Sequence, residues 1–248
     1  MVELKSVSEI KKMEKSCRMV ADVLRKLKEM VKPGIRTLDL DIEAVKMTKK
    51  FGARPAFLNY RGYPRSVCVS INEEVVHGIP SKDRKINDGD IVSLDFGVEY
   101  DGYYGDAAVS VAAGRVSVQA ARLIEVTEKA LYEGIAQAKP GNRLGDISAA
   151  VQKYTEANGF AVVRDFVGHG IGRKMHEDPM IPNYGTAGTG IFLEAGMVLA
   201  IEPMVNEKSW EVIVLPDEWT VVTKDRGFSA HFEHTVAITS DGPVILSK

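Results

Sequence analysis

Apolar residues near the start of the chain recur at helical spacing. Ile10, Met13, Cys17, Val20, Leu24, Leu27 and Val31 step by three and four, with Lys and Glu on the other face, which predicts one amphipathic helix. Ser6-Val-Ser-Glu9 ahead of it is a capping box, in which Ser6 caps and Glu9 reaches back. Lys32-Pro33-Gly34 ends the helix, because proline cannot continue the ladder and glycine supplies a turn. A second helix is predicted from Thr37 to about Phe51, closed by Gly52. The same grammar returns further on. Ser117 opens a helix carrying Ile124, Thr127, Leu131 and Ile135 and stopping at Lys139-Pro140-Gly141, and another runs through Ile147, Val151 and Tyr154 to Gly159. Short β-branched runs predict strands over 67–71, 91–96, 107–111, 162–167, 198–204, 212–215 and 232–239. Paired helices followed by runs of strands indicate an α+β fold, with helices on one side of a largely antiparallel sheet.

The two passages are related by a constant offset. Lys32-Pro33-Gly34-Ile35-Arg36 matches Lys139-Pro140-Gly141-Asn142-Arg143, 107 residues on, and Gly52 matches Gly159 at the same distance. Gly89-Asp-Ile-Val-Ser-Leu-Asp95 resembles Gly196-Met-Val-Leu-Ala-Ile-Glu202, again 107 residues apart. Three separated matches at one offset predict a duplicated helix–helix–strand unit. The expectation is one domain over 1–248 built from two pseudo-symmetric halves, about 1–115 and 116–248, with an acid closing a matching strand in each.

Those acids begin the candidate chemistry. Asp101-Gly102 between two apolar runs is a two-residue hairpin signal. A turn there sets Asp106 opposite Gly97 and Asp95 opposite Ala108, so both carboxylates share a strand face as diagonal neighbours, roughly 7 Å apart. Two unpaired aspartates so placed repel each other, and burial worsens this; a divalent cation resolves it. Glu202 closes the apolar run Val-Leu-Ala-Ile, which is costly unless the acid is paired or metal-bound, and it occupies the repeat position of Asp95. Glu233 enters another apolar run. His169 stands among Gly168, Gly170 and Gly172, which strip bulk from the imidazole and permit unusual backbone angles. That glycine run lacks the spacing and the lysine of a phosphate loop. His176 follows seven residues later, and His77 precedes a turn at Gly78-Ile-Pro80. Four carboxylates and one histidine, with Cys17 on a helix stripe and Cys68 in a strand, form an oxygen-rich set. It suits a pair of Mn, Fe, Co or Zn ions rather than a closed structural zinc site.

Composition narrows the class without naming it. The chain has 248 residues, 32 Lys+Arg against 34 Asp+Glu, and 45% hydrophobic residues, as in an ordinary globular protein. The near balance of charge leaves no footprint for nucleic acid or anionic membrane. No apolar run approaches a membrane span and the charged N-terminus lacks a secretory h-region, so a cytoplasmic protein is expected. Two cysteines form no disulfide framework in a chain of this length.

With these residues in view, the chain resembles a known family. Gly168-His-Gly-Ile-Gly-Arg-Lys-Met-His176-Glu-Asp-Pro-Met-Ile-Pro-Asn-Tyr184 is similar to the signature of type I methionine aminopeptidases. Asn72-Glu-Glu-Val-Val-His-Gly-Ile-Pro80, Asp95 with Gly105-Asp106, Ile201-Glu202-Pro203 and His231-Phe-Glu-His234 fit the same family, so the resemblance spans nearly the whole chain. It implies the pita-bread fold and hydrolysis of N-terminal methionine from nascent polypeptides whose second residue is small, by a hydroxide bridging two metals. By resemblance, Asp106 and Glu233 bridge the metals, Asp95 chelates one, and His169 with Glu202 completes the other. Glu202 is the implied proton shuttle, His176 steadies the carbonyl oxygen, and His77 contacts the scissile peptide. The implied methionine pocket involves Tyr60, Tyr63, Cys68 and Trp219, with Phe57 and Met175 nearby. Met175 stands where phenylalanine is frequent in the family, which bears on the pocket's shape. A monomer acting on nascent chains, with the ribosome as a further partner, is expected. The competing readings are an Xaa-Pro-type aminopeptidase of the same fold, which usually carries an additional N-terminal domain, and a non-catalytic peptide-binding pita-bread module, which would have lost ligands. Type II relatives insert a helical subdomain absent here, and no Gly-x-Ser-x-Gly elbow supports a serine hydrolase.

Overall fold

The computed structural model describes residues 2–248. Helices α1 (Val7–Met30) and α2 (Thr37–Phe51) lead to β1 (Arg54–Pro55), β2 (Cys68–Ile71), β3 (Glu74–Val76) and a long hairpin, β4 (Ile91–Tyr100) and β5 (Tyr103–Ala112). Helices α3 (Val118–Gln137) and α4 (Leu144–Ala157) follow. The chain then runs through β6 (Ala161–Val162), β7 (Val167–Gly170), β8 (Glu177–Pro182), β9 (Val198–Ile201) and β10 (Met204–Asn206). It ends with β11 (Val212–Val214), β12 (Val221–Thr223), β13 (Ser229–His231), β14 (Glu233–Thr239) and β15 (Gly242–Ile245).

The expected helix signals operate. Ser6 Oγ accepts from the Glu9 N–H while the Ser6 N–H reaches Glu9 Oε2 at 2.9 Å, and Gly52 closes α2 in the left-handed conformation (φ 68°). The main sheet has nine strands in the order β1-β4-β5-β14-β9-β7-β8, with β2 also on β4 and β15 also on β14. Every pairing in it is antiparallel among the described residues. Two three-stranded sheets, β13-β10-β6 and β11-β12-β3, stand beside it.

Helices cover one face of each sheet half. Val20, Val23, Leu24 and Leu27 of α1 and Leu40 and Ala44 of α2 pack on Val92, Leu94 and Phe96 of β4. Leu131 and Ile135 of α3 and Ile147 of α4 pack on Leu199, Ile201, Val236 and Ile238. The first turns of the two long helices then cross into the opposite half. Met13 and Cys17 of α1 meet Val198, Ala200 and Ala237, while Ala120 and Leu123 of α3 meet Ile91 of the first half, alongside Val205 and Ala230 of their own. The exchange obeys the 107-residue offset, since Met13 corresponds to Ala120 and Ile91 to Val198.

Three predicted strands break where chemistry is placed. The run 198–204 splits at Glu202-Pro203, because Pro203 has no N–H for the ladder, and its two pieces join different sheets. The run 232–239 starts only at Glu233, with Phe232 turned into the helix-facing core. The run 162–167 divides into β6 and β7.

Candidate metal centre

Register alone gathers the candidate ligands. In an antiparallel sheet, residues directly opposite one another share a face, as do residues two apart on a strand. Asp95 lies opposite Ala108, and Ala108 opposite Glu233, so Asp95 and Glu233 share a face across three strands. Asp106, two residues from Ala108 and opposite Gly97 as the hairpin predicted, joins them. Thr235, two residues beyond Glu233, lies opposite Ala200, which lies opposite His169. His169 and Glu202, two residues past Ala200, therefore fall on the same face. It is the face turned away from the main helix packing of Leu94 and Ile201.

Side-chain geometry agrees with the register. Ligand atoms of Asp106, His169 and Glu233, all buried, lie within 4.8 Å of one another. Glu202 Oε1 is 3.5 Å from His169 Nε2, and Asp95 lines the same cavity. Asp95 Oδ1, Asp106 Oδ1 and Glu233 Oε1 are buried without a hydrogen-bond partner. His169 Nδ1 lies 2.8 Å from the Gly170 carbonyl oxygen. A carbonyl only accepts, so Nδ1 carries the proton and Nε2 presents a bare lone pair toward Glu202. A lone pair facing carboxylate oxygens, beside three orphaned carboxylate atoms, is a donor set that fits divalent cations.

Electrostatics point the same way. Burial pushes all four carboxyl pKa values upward: Glu202 to about 8, Asp95 to about 7 against an opposing pull from His231, and Asp106 and Glu233, which neighbouring acids raise further, well above the usual range. Burial with the adjacent His176 lowers His169 to about 3, which keeps it neutral and ligand-ready. Burial with His231 and His176 lowers His77 to about 4.

A cavity of about 150 Å³ opens onto these groups. Tyr60, Tyr63, Cys68, His77, His176 and Trp219 all line it, and Phe57 and Met175 complete its apolar part. Tyr63 meets Trp219 edge-on at 5.2 Å and donates to the Gly78 carbonyl, so its ring is fixed. Cys68 lies opposite Asp95 and thus faces the cavity as a thiol, with its pKa raised by burial. Gly97 makes the wall possible: a Cβ there would lie 2.9 Å from the Phe57 ring and 3.0 Å from Met175 Cε. Tyr60 stacks on His176, and its hydroxyl lies 2.8 Å from His176 Nδ1.

Two readings change in the structure. None of Gly168, Gly170 and Gly172 adopts a positive φ, so unusual backbone angles are not their role. They are small because neighbours pass close: a Cβ on Gly168 would sit 2.4 Å from the Ala200 carbonyl oxygen, one on Gly170 2.0 Å from that of Asp178, and one on Gly172 2.4 Å from the Lys5 side chain. The second change is His231, which belongs to the site although only its motif neighbour Glu233 was singled out. It is fully buried, its Nε2 is 3.6 Å from Glu202 Oε2, and that nitrogen has no hydrogen-bond partner. Its signal was available, for it stands two residues before Glu233. Arg61 at the cavity mouth and Phe166 against His77 carried no such signal.

Comparison with known proteins agrees with this arrangement. Residues 11–240 match metallopeptidase family M24, and the chain belongs to that family. Within it, the chain falls among the methionine aminopeptidases. The Clostridium acetobutylicum methionine aminopeptidase is 50% identical over 247 residues, covering 100% of this chain and 99% of that protein. The methionine aminopeptidase 1 of Bacillus subtilis is 50% identical with full coverage of both. The crystal structure of the Thermotoga maritima methionine aminopeptidase superposes with a TM-score of 0.99 at 49% identity over all of both chains. The Pyrococcus horikoshii prolidase shares the fold (TM-score 0.80, 24% identity), and this chain spans 63% of it. The fold is the α+β pita-bread fold, as the sequence resemblance implied, and the protein is a metallopeptidase.

Proposed function

We propose that the chain hydrolyses the N-terminal methionine from polypeptides whose second residue is small, as a type I methionine aminopeptidase working with two divalent cations. The observation that carries this reading is the single sheet face bearing Asp95, Asp106, His169, Glu202 and Glu233, with unpartnered ligand atoms beside a largely apolar cavity. In this reading Asp95, Asp106, His169, Glu202 and Glu233 would hold the cations, with Asp106 and Glu233 shared between them, Asp95 serving one and His169 with Glu202 the other. The cations are drawn from Co, Mn, Fe and Zn, and when bound they supply Lewis acidity to the scissile carbonyl and raise the acidity of water.

The chain's own residues do the rest. Tyr60, Tyr63, Cys68 and Trp219 take up the methionine side chain, whose thioether packs favourably against aromatic edges. The Tyr60 hydroxyl lies 2.8 Å from His176 Nδ1, and in the tautomer where that hydroxyl donates, the His176 proton stands on Nε2, ready to donate to the carbonyl oxygen as charge develops. His77, held near neutral by burial, contacts the scissile peptide group. Glu202 carries the proton from the attacking water to the leaving amine, a role that its place beside His169 at the edge of the cavity allows. The catalytic unit is one domain of two halves meeting at the site, active as a cytoplasmic monomer on nascent chains, with the ribosome as a docking partner. The buried free thiols Cys17 and Cys68 are consistent with a reducing compartment.

Release of methionine from Met-Ala-Ser, against cleavage of Xaa-Pro peptides, before and after EDTA, tests the reading. Cleavage of Met-Ala-Ser that EDTA abolishes is expected. Preference for Xaa-Pro, or activity that persists in EDTA, overturns it.

A further inference from the structure

A second cavity of about 730 Å³ adjoins the metal centre and shares Arg61, His169 and His176 with it as wall residues. The first cavity accounts for the methionine side chain. The polypeptide continuing past the scissile bond must leave from the same histidines, and the second cavity begins there.

Its walls carry ions of both signs, but in different states. Among the acids, Glu177 accepts from the buried Lys5 ammonium at 2.6 Å and from the Lys174 N–H at 3.0 Å, and Lys5 lies 3.5 Å from Glu3. Among the cations, Arg173 lies 3.4 Å from Glu9 and over the Tyr103 ring. Arg61 and Lys174 have no ion-pair partner among the described residues, and both are exposed.

The turn that holds Arg61 is unusual. Asn59 and Arg61 both adopt positive φ, 64° and 51°, in a turn closed by hydrogen bonds from Asn59 N to the Tyr63 carbonyl and from Tyr63 N to the Tyr60 carbonyl. Non-glycine residues in that region are strained, and such strain concentrates at ligand sites. It fixes Arg61 on the boundary between the two cavities.

We propose that the second cavity receives the substrate beyond its second residue, and that Arg61 and Lys174 make it favour polypeptides with acidic side chains at the next few positions. This rests on the methionine aminopeptidase reading and specifies its substrate class. Because both cations are solvent-exposed, the preference is modest and screened by salt.

The test compares kcat/KM of the metal-loaded protein on Met-Ala-Asp-Asp-Asp, Met-Ala-Ser-Ser-Ser and Met-Ala-Lys-Lys-Lys, at low salt and in 0.5 M salt (about 4 Å of screening length). The acidic peptide is expected to exceed the basic one by about 3- to 10-fold at low salt, with the gap narrowing in high salt. Arg61→Glu, and independently Lys174→Glu, should each reduce or reverse the acidic-to-basic ratio. Equal rates for the three peptides in the wild type, or a ratio that neither variant changes, overturns the inference alone. Failure of the wild type to release methionine from any of them overturns the functional reading and the inference together.

Discussion

Replacing Asp106 by asparagine should stabilise the metal-free protein while removing its activity. Asp106 is buried beside Asp95, Glu202 and Glu233, and its pKa lies well above the normal value of 3.8. The folded, metal-free protein therefore holds this proton to a higher pH than the unfolded chain does. The unfolded state binds fewer protons, so stability falls as pH rises above 3.8. The loss is therefore smaller at pH 5 than at pH 7. Asparagine has no proton to lose. Its carbonyl retains the hydrogen bond that Asp106 accepts from the Ala107 N–H, and its amide faces acceptor oxygens in the neighbouring acids. Allowing for relaxation among four coupled acids, the net gain near pH 7 is roughly 2 kcal/mol, or about 4–8 °C in Tm for a protein of this size. Thermal unfolding of EDTA-treated wild type and Asp106→Asn at pH 5 and pH 7 measures this directly. The variant should melt higher at pH 7, with a smaller gap at pH 5. A variant that melts below wild type at pH 7 would refute the reasoning, because it would mean that Asp106 stabilises the fold rather than awaiting a cation.

Three other outcomes follow from particular contacts. His231 should act as a positioning residue for Glu202: His231→Leu is expected to weaken divalent-metal affinity about 10- to 100-fold by calorimetry, with substantial recovery in His231→Gln. Equal affinity in wild type and His231→Leu would leave His231 a packing residue. Gly168→Ala places a methyl group 2.4 Å from the Ala200 carbonyl oxygen, so denaturant unfolding should show a loss of about 1–3 kcal/mol, and an unchanged midpoint would contradict the close packing of β7 on β9. Tyr60→Phe removes the hydroxyl on His176 Nδ1 and should lower kcat about tenfold, more than it raises KM; a change confined to KM would make Tyr60 a packing contact only.

Much of this centre is legible before any coordinates, and for a physical reason. A two-residue turn at Asp101-Gly102 fixes register, and register fixes which side chains share a face, so the pairing of Asp95 with Ala108 and Asp106 with Gly97 follows from the turn. Glu202 and Glu233 stand out because an acid at the end of an apolar strand needs a partner. The 107-residue offset then links Asp95 to Glu202 across the molecule, and the structure adds a matching exchange of helix starts between the halves.

What stayed hidden depends on long-range packing. The two small sheets consist of strands of two or three residues, too short for any periodicity to register. Strand β8 contains Pro179 and Pro182, which argue against a strand locally, yet it survives at the edge of the sheet, interrupted by a register shift between Glu177 and Met180. The glycines around His169 look like sources of conformational freedom, whereas they are spaces left for the carbonyls of Ala200 and Asp178. The second cavity joins β7 and β8 to Arg61, more than a hundred residues away, and no local pattern announces it.

The central claim is that one sheet face holds the cations that cleave an N-terminal methionine. Methionine release from Met-Ala-Ser by EDTA-stripped protein, titrated with Mn or Co, tests it most directly, alongside Glu233→Ala treated identically. Activity should be absent without metal, return saturably in the wild type, and stay absent in the variant. Cleavage by the stripped protein, or full activity in Glu233→Ala, would contradict the claim.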